Sequence, residues 1–143
     1  MGANNPIRVI IADDHIAIRN GIRRLLSQKP DITIVGEAKN GVETLELTEK
    51  LNPDVLLLDI DMPDMNGVEV ARRLRKKNIP VSILVVSSYT DESYVRMVLA
   101  EGVHGYLIKD DAPARIAEEI RQAARDVQAN NQSGRISPAQ LMV

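Results

Sequence analysis

Apolar residues in this chain come in two patterns that alternate along its length. Five short runs rich in Val, Ile and Leu lie near residues 7–13, 32–37, 54–59, 82–87 and 104–108. Between them, apolar positions recur every three or four residues. Ile18, Ile22, Leu25 and Leu26 share one helical face, and Ile116, Ile120, Ala123 and Val127 share another. Continuous apolar runs suit strands of a parallel sheet covered on both faces, and the intervening period suits helices. Strand and helix alternating five times predicts an α/β fold with right-handed crossovers. The expected architecture is a doubly wound five-stranded parallel sheet of order 2-1-3-4-5, flavodoxin-like, with five helices.

Turn and cap residues support these boundaries. Asn40-Gly41 opens the second helix, and Pro53 follows Asn52 at the start of the third strand. Pro63 and Asn66-Gly67 form a loop before the third helix. Thr90-Asp91 offers an N-cap for the fourth helix, and Gly102 ends it. Pro113 sits where a first-turn proline is tolerated. After about residue 127 the composition turns polar, through Gln128-Ala129-Asn130-Asn131-Gln132-Ser133-Gly134, and loses its core face. Residues 6–127 are therefore expected to form one domain. Residues 128–143 are expected to be a linker or frayed tail, with the chain cut before a further domain.

Bulk composition narrows the function. The 143 residues suit one domain with a substantial core. A net charge of −2 argues against a nucleic-acid clamp, which is normally basic. The absence of cysteine excludes disulfides, thiolate catalysis and cysteine zinc sites, and is compatible with a cytoplasmic location. No apolar run approaches the ~20 residues that span a bilayer, and no signal peptide is visible. The core must be aliphatic, because Phe and Trp are absent and only Tyr89, Tyr94 and Tyr106 are aromatic.

Charged residues gather where the strands end. Asp13 and Asp14 follow the first strand, Asp59 ends the third, and Asp61 lies two residues on. Ser87 ends the fourth strand and Lys109 follows the fifth. In an open α/β sheet, ligands bind beyond the carboxyl ends of the strands at the topological switch point. With strands one and three adjacent, Asp13, Asp14 and Asp59 converge there. Three like charges this close raise at least one pKa unless a cation intervenes. Mg²⁺ suits such a site, because it takes oxygen ligands and shares them with water and phosphate. Simpler roles stay open for the individual residues. Asp14 could cap the first helix, Ser87 the turn after its strand, and Lys109 could pair with one aspartate.

Taken together, Ile10-Ile11-Ala12-Asp13-Asp14-His15, Leu57-Leu58-Asp59-Ile60-Asp61-Met62-Pro63-Asp64-Met65-Asn66-Gly67, Val85-Val86-Ser87-Ser88 and Gly105-Tyr106-Leu107-Ile108-Lys109 resemble a bacterial response-regulator receiver domain. The likeness covers roughly residues 6–127, in order and spacing. It implies that Asp59 is the phosphoacceptor, loaded from the phosphohistidine of a sensor histidine kinase. It implies Mg²⁺ held by Asp13, Asp14, Asp59 and the backbone carbonyl of Asp61. Ser87 and Lys109 would bind the phosphoryl group, and Tyr106 would turn inward as Ser87 shifts. Asp61 and Tyr89 occupy the positions that modulate phosphoryl lifetime in this family.

Asp-Asp-His, Val35-Gly36-Glu37-Ala38 and Gly105-Tyr106-Leu107-Ile108-Lys109-Asp110 further resemble receivers joined to a LuxR-type helix-turn-helix, and Ile136-Ser137-Pro138 resembles the connector to it. The implied output is transcription, with DNA contacted only through a C-terminal domain and with homodimerisation as a possible response. The chain departs from the common pattern at Asp110, where many receivers have proline. The Lys109-Asp110 bond is therefore either trans or a strained cis. His15 is read as a surface or helix-start residue, and His104 has still less claim to a chemical role. Two other readings are carried. One is a small Mg²⁺-dependent phosphohydrolase, which Asp59-Ile60-Asp61 superficially fits. The other is an interaction module that works without phosphate.

Overall fold

The computed structural model describes residues 5–133, with the side chains of 128–133 outside that description. The elements are β1 (Ile7–Ala12), α1 (Ile16–Leu26), β2 (Ile32–Ala38), α2 (Gly41–Leu51), β3 (Val55–Asp59), α3 (Gly67–Lys76), β4 (Ser82–Ser87), α4 (Glu92–Leu99), β5 (Gly105–Ile108) and α5 (Ala112–Ser133). The strands form one parallel sheet in the order β2-β1-β3-β4-β5, as the alternation predicts.

Alternate residues of each central strand enter different cores. Ile10, Leu56, Leu58 and Val85 pack with Val70, Leu74 and Val98 from α3 and α4. Val9, Ile11, Leu57 and Val86 pack on the other face with Leu26 of α1 and Ile116 and Ile120 of α5. Covering both faces is why the strands read as unbroken apolar runs. At about 25 cal/mol per Å² of apolar surface, these two layers are the main source of stability.

Local signals fix the helix ends. Asn40 Oδ1 accepts from Glu43 N–H (2.8 Å), Asn66 Oδ1 from Glu69 N–H (2.9 Å) and Asp91 Oδ1 from Tyr94 N–H (3.0 Å). Each cap satisfies one of the four orphan donors at its helix start, worth about 1 kcal/mol. Gly102 lies at φ +83°, where a Cβ would fall 1.8 Å from Nη2 of Arg75. Gly67 is held for a different reason, because a Cβ there would come within 2.9 Å of the Ile60 backbone. That close approach, with Gly67 N–H donating to Ile60 O at 2.8 Å, pins the loop that follows Asp59.

Ile18 shares the helical face of Ile22 and Leu25, as expected, and is 36% exposed. It lines an apolar groove of about 230 Å³ between α1 and α5, with Ile22, Leu25, Pro113 and Ile116. The last helix, α5, runs on to Ser133, past the boundary expected near residue 127. The remaining tail, including Ile136-Ser137-Pro138, lies outside the described residues. The Lys109-Asp110 bond is trans. None of the described helices is long and apolar enough to cross a membrane.

Candidate functional site

The carboxyl edge of the sheet brings the acids together. Asp13 continues β1, with its N–H on the Ala38 carbonyl at the end of β2 (3.0 Å), and the residue is 3% exposed. Asp59 ends β3 directly alongside, also 3% exposed. Donor atoms from Asp13, Asp14, His15 and Asp59 all lie within 4.8 Å of one another. Asp14 does not cap α1; His15 occupies the N-cap position and makes no side-chain cap bond.

Electrostatics make this cluster costly as it stands. Burial pushes the Asp59 carboxyl up to about 6, the Asp13 charge adds to the rise, and Lys109 opposes it. Asp59 Oδ1 accepts the Asp61 N–H at 3.3 Å, whereas its Oδ2 is buried without any partner. An unpartnered buried carboxylate oxygen normally costs at least about 1–3 kcal/mol. A cation at this point would remove both the repulsion and the missing contact, so the donor set fits a metal ion.

Lys109 lies between the two buried acids, with Nζ 3.4 Å from Asp13 Oδ2 and 3.5 Å from Asp59 Oδ1. Burial alone would depress its ammonium pKa, but the charges of Asp59 and Asp13 outweigh that and raise it. Its N–H donates to Ser87 O at 2.8 Å, so the β4–β5 ladder sets its position. Ser87 is 1% exposed, and its Oγ accepts the Tyr89 N–H at 3.2 Å. The turn-capping role considered for Ser87 is thus present. The pairing considered for Lys109 is present with two aspartates rather than one.

Beyond Ser87 lie all three tyrosines of the chain. Tyr106 Oη donates to the Tyr89 backbone carbonyl at 2.9 Å, near the surface. The Tyr89 and Tyr94 rings are tilted against each other with centroids 5.1 Å apart. The charge of exposed Asp61 raises the Tyr89 phenol above its ordinary value, which places Asp61 and Tyr89 as neighbours at the mouth of the site.

Comparison with known proteins gives this edge a family. The response regulator receiver domain family matches residues 9–121. The chain belongs to that family. This receiver is 43% identical over 124 residues to the nitrate/nitrite response regulator NarL of Escherichia coli strain K12, covering 87% of this chain and 57% of that protein. It is 41% identical over 121 residues to the transcriptional regulatory protein DegU of Brevibacillus brevis, covering 85% of this chain and 51% of DegU. Among solved structures, the receiver domain of the response regulator NarL from Mycobacterium tuberculosis superposes with a TM-score of 0.81 at 36% identity, covering 85% of this chain and 98% of that one. The chain spans a little over half the length of these curated relatives. They are signalling regulators of the NarL and LuxR type, which decides among the three readings in favour of a phosphoacceptor receiver.

The sequence reading placed Asp13, Asp14, Asp59, Ser87 and Lys109 at one edge, and the receiver has them there. Two neighbours of the site, Asp64 and Tyr94, were not singled out. Asp64 accepts Gly41 N–H (2.7 Å) and Val42 N–H (3.0 Å), tying the β3–α3 loop to the start of α2. Those backbone bonds hold its carboxyl below the usual range, so it is a structural acid rather than part of the site. Tyr94 completes the aromatic group, and its place three residues after the Asp91 cap was an available signal. His15 stands at the surface and at the helix start, as expected, and its Nδ1 lies 3.1 Å from both Asp13 Oδ1 and Asp14 Oδ1.

Proposed function

We infer that Asp59 is the phosphoacceptor of this receiver and that a sensor histidine kinase is the donor. The observation that carries this reading is the buried Asp59 carboxylate, one oxygen unpartnered, beside the Lys109 ammonium. In the reaction, an Asp59 carboxylate oxygen attacks phosphorus in line. The phosphorus–nitrogen bond of the donor phosphohistidine breaks, and its electron pair returns to the imidazole, which then takes up a proton. Lys109 releases Asp59 and pairs with the transferred phosphoryl oxygens, and Ser87 Oγ leaves the Tyr89 amide to donate to one of them. Asp13, Asp14, Asp59 and the Asp61 backbone carbonyl would hold Mg²⁺. When bound, the ion supplies positive charge that neutralises the phosphoryl oxygens. Positioning and charge neutralisation are the main sources of rate in such transfers.

Asp61 and Tyr89, at the mouth of the site, govern how readily water reaches the acyl phosphate, and so set the lifetime of the signal. Tyr106 leaves the Tyr89 carbonyl and turns inward when Ser87 moves, changing the surface formed by α4 and β5. The output is transcription in the cytoplasm. It is exerted through homodimerisation or through contacts with a DNA-binding domain, as the names of the NarL and DegU relatives suggest.

Incubation with Mg²⁺ and a small phosphodonor tests the acceptor. The expected result is one phosphoryl equivalent per chain, lost completely in Asp59→Asn. Labelling that persists in Asp59→Asn, or continuous hydrolysis of a phosphomonoester, contradicts the assignment. A phosphomimetic ligand is expected to shift the association state. An unchanged sedimentation profile would refute the output surface.

A further inference from the structure

The acidic edge holds one group that the receiver chemistry above does not use. His15 stands at the N-cap of α1, and its backbone N–H donates to Asp13 Oδ1 at 2.9 Å. That Asx-type bond sets the backbone where the ring meets the pocket. The ring caps nothing and its side chain is 62% exposed, so its position is set by polar contact, with Nδ1 at hydrogen-bond distance from Asp13 Oδ1.

Its distances match a coordination shell. Nδ1 is 3.1 Å from Asp13 Oδ1 and 3.1 Å from Asp14 Oδ1. Ligands about 2.1 Å from an octahedral ion sit about 3 Å from their neighbours in the shell. One atom from each of Asp13, Asp14, His15 and Asp59 lies within 4.8 Å of the others, a span that closes to about 4.2 Å or less around such an ion. An independent observation points to the same spot, because Asp59 Oδ2 is buried without a partner in a residue only 3% exposed.

We propose that His15 is a nitrogen ligand of the metal held by this acidic pocket, and that it gives the receiver a preference for transition-metal ions over Mg²⁺. The proposal rests on the reading that Asp13, Asp14 and Asp59 hold a cation. The chemical basis is donor type. Mg²⁺ is hard, favours oxygen and gives up its waters reluctantly, so an imidazole adds little to its affinity. Co²⁺, Ni²⁺ and Zn²⁺ gain from an imidazole nitrogen, and their affinities exceed that of Mn²⁺ at mixed nitrogen and oxygen sites. The neutral ring would offer its Nδ1 lone pair to the metal and keep its proton on Nε2.

The test uses the full 143-residue chain. Mg²⁺ and Co²⁺ are titrated calorimetrically into the wild type, His15→Gln, His104→Gln and Asp59→Asn. In His15→Gln the Co²⁺ affinity should fall by about tenfold or more, and that for Mg²⁺ by less than about threefold. His104 is the only other histidine, and it faces Asp126 at 2.5 Å, away from the pocket. Pulsed electron resonance of the Mn²⁺ complex should therefore show imidazole-nitrogen coupling in the wild type and His104→Gln, and none in His15→Gln. Equal losses for both metals, or nitrogen coupling that survives in His15→Gln, overturn the proposal. So does tighter Mg²⁺ binding in His15→Gln with an unchanged Co²⁺ to Mg²⁺ ratio, which makes the ring a counter-ion rather than a ligand. If Mg²⁺ binds the wild type but Co²⁺ binds no tighter, only the His15 role falls. If neither ion binds, the cation reading of the pocket falls with it.

Discussion

The two edges of the sheet carry the same kinds of residue and treat them in opposite ways. At the amino edge, charges are completed. Arg8 Nη1 donates to the Leu51 and Asn52 carbonyls at the end of α2 (2.6 and 2.9 Å), and the Arg8 N–H donates to Asp54 Oδ2 (2.9 Å). Arg121 reaches Asp31 through two nitrogens (2.6 and 3.1 Å), and His104 meets Asp126. At the carboxyl edge, Asp13 and Asp59 share Lys109 at longer range, and Asp14 Oδ1 and Asp59 Oδ2 have no hydrogen-bond partner. The difference teaches where stability and function separate in this fold. Completed polar contacts close the amino edge, and incomplete ones leave the carboxyl edge able to take up a cation and a phosphoryl group.

Removing a charge should therefore have opposite signs at the two edges. The largest effect is expected for Asp59→Asn in metal-free protein. The folded-state carboxyl titrates at about 6, above its ordinary value of 3.8. The folded protein thus binds more protons than the unfolded chain between those values, and stability falls as pH rises through that window. Asp59→Asn should stabilise the protein by about 2 kcal/mol at neutral and higher pH, once water at the open mouth is allowed for. The gain should vanish below about pH 4, as denaturant unfolding across pH will show. A loss of stability at neutral pH would break the comparison.

Arg8→Ala tests the opposite edge. It strips two helix-end carbonyls of a charged donor and should cost about 1–2 kcal/mol, with no dependence on pH between 5 and 8. Thermal unfolding of the variant measures this. Arg121→Ala should have the smallest effect, below about 0.5 kcal/mol and absent at high salt, because its pair with Asp31 is open to water. An Arg121→Ala cost that survives high salt would show that the amino edge is more tightly closed than its exposure indicates.

Much of this could be read from the residues before any coordinates. The strands were legible because both sheet faces are covered, which leaves unbroken runs such as Val55-Leu56-Leu57-Leu58. The acids were legible because a strand end plus the sheet order fixes position without knowledge of side chains. Asp64 was not, since its partners lie at the start of α2, and nothing local distinguishes a stapling carboxylate from a ligating one. His15 was legible as a helix-start residue, but the side-chain conformation that brings its Nδ1 within 3.1 Å of its sequence neighbours Asp13 and Asp14 was not. Ile18 fell on the correct helical face but beyond the point where α5 closes over it.

The tyrosine group at the end of β4 has an optical consequence. The chain has no Trp or Phe, so Tyr89, Tyr94 and Tyr106 supply all of its aromatic absorption. Two of these rings are 5.1 Å apart, and the third is hydrogen-bonded to the backbone of one of them. Near-ultraviolet absorption, circular dichroism and intrinsic fluorescence therefore come from a single patch beside Ser87. An unlabelled sample reports on that patch against a dark background, and the aliphatic core stays spectroscopically silent.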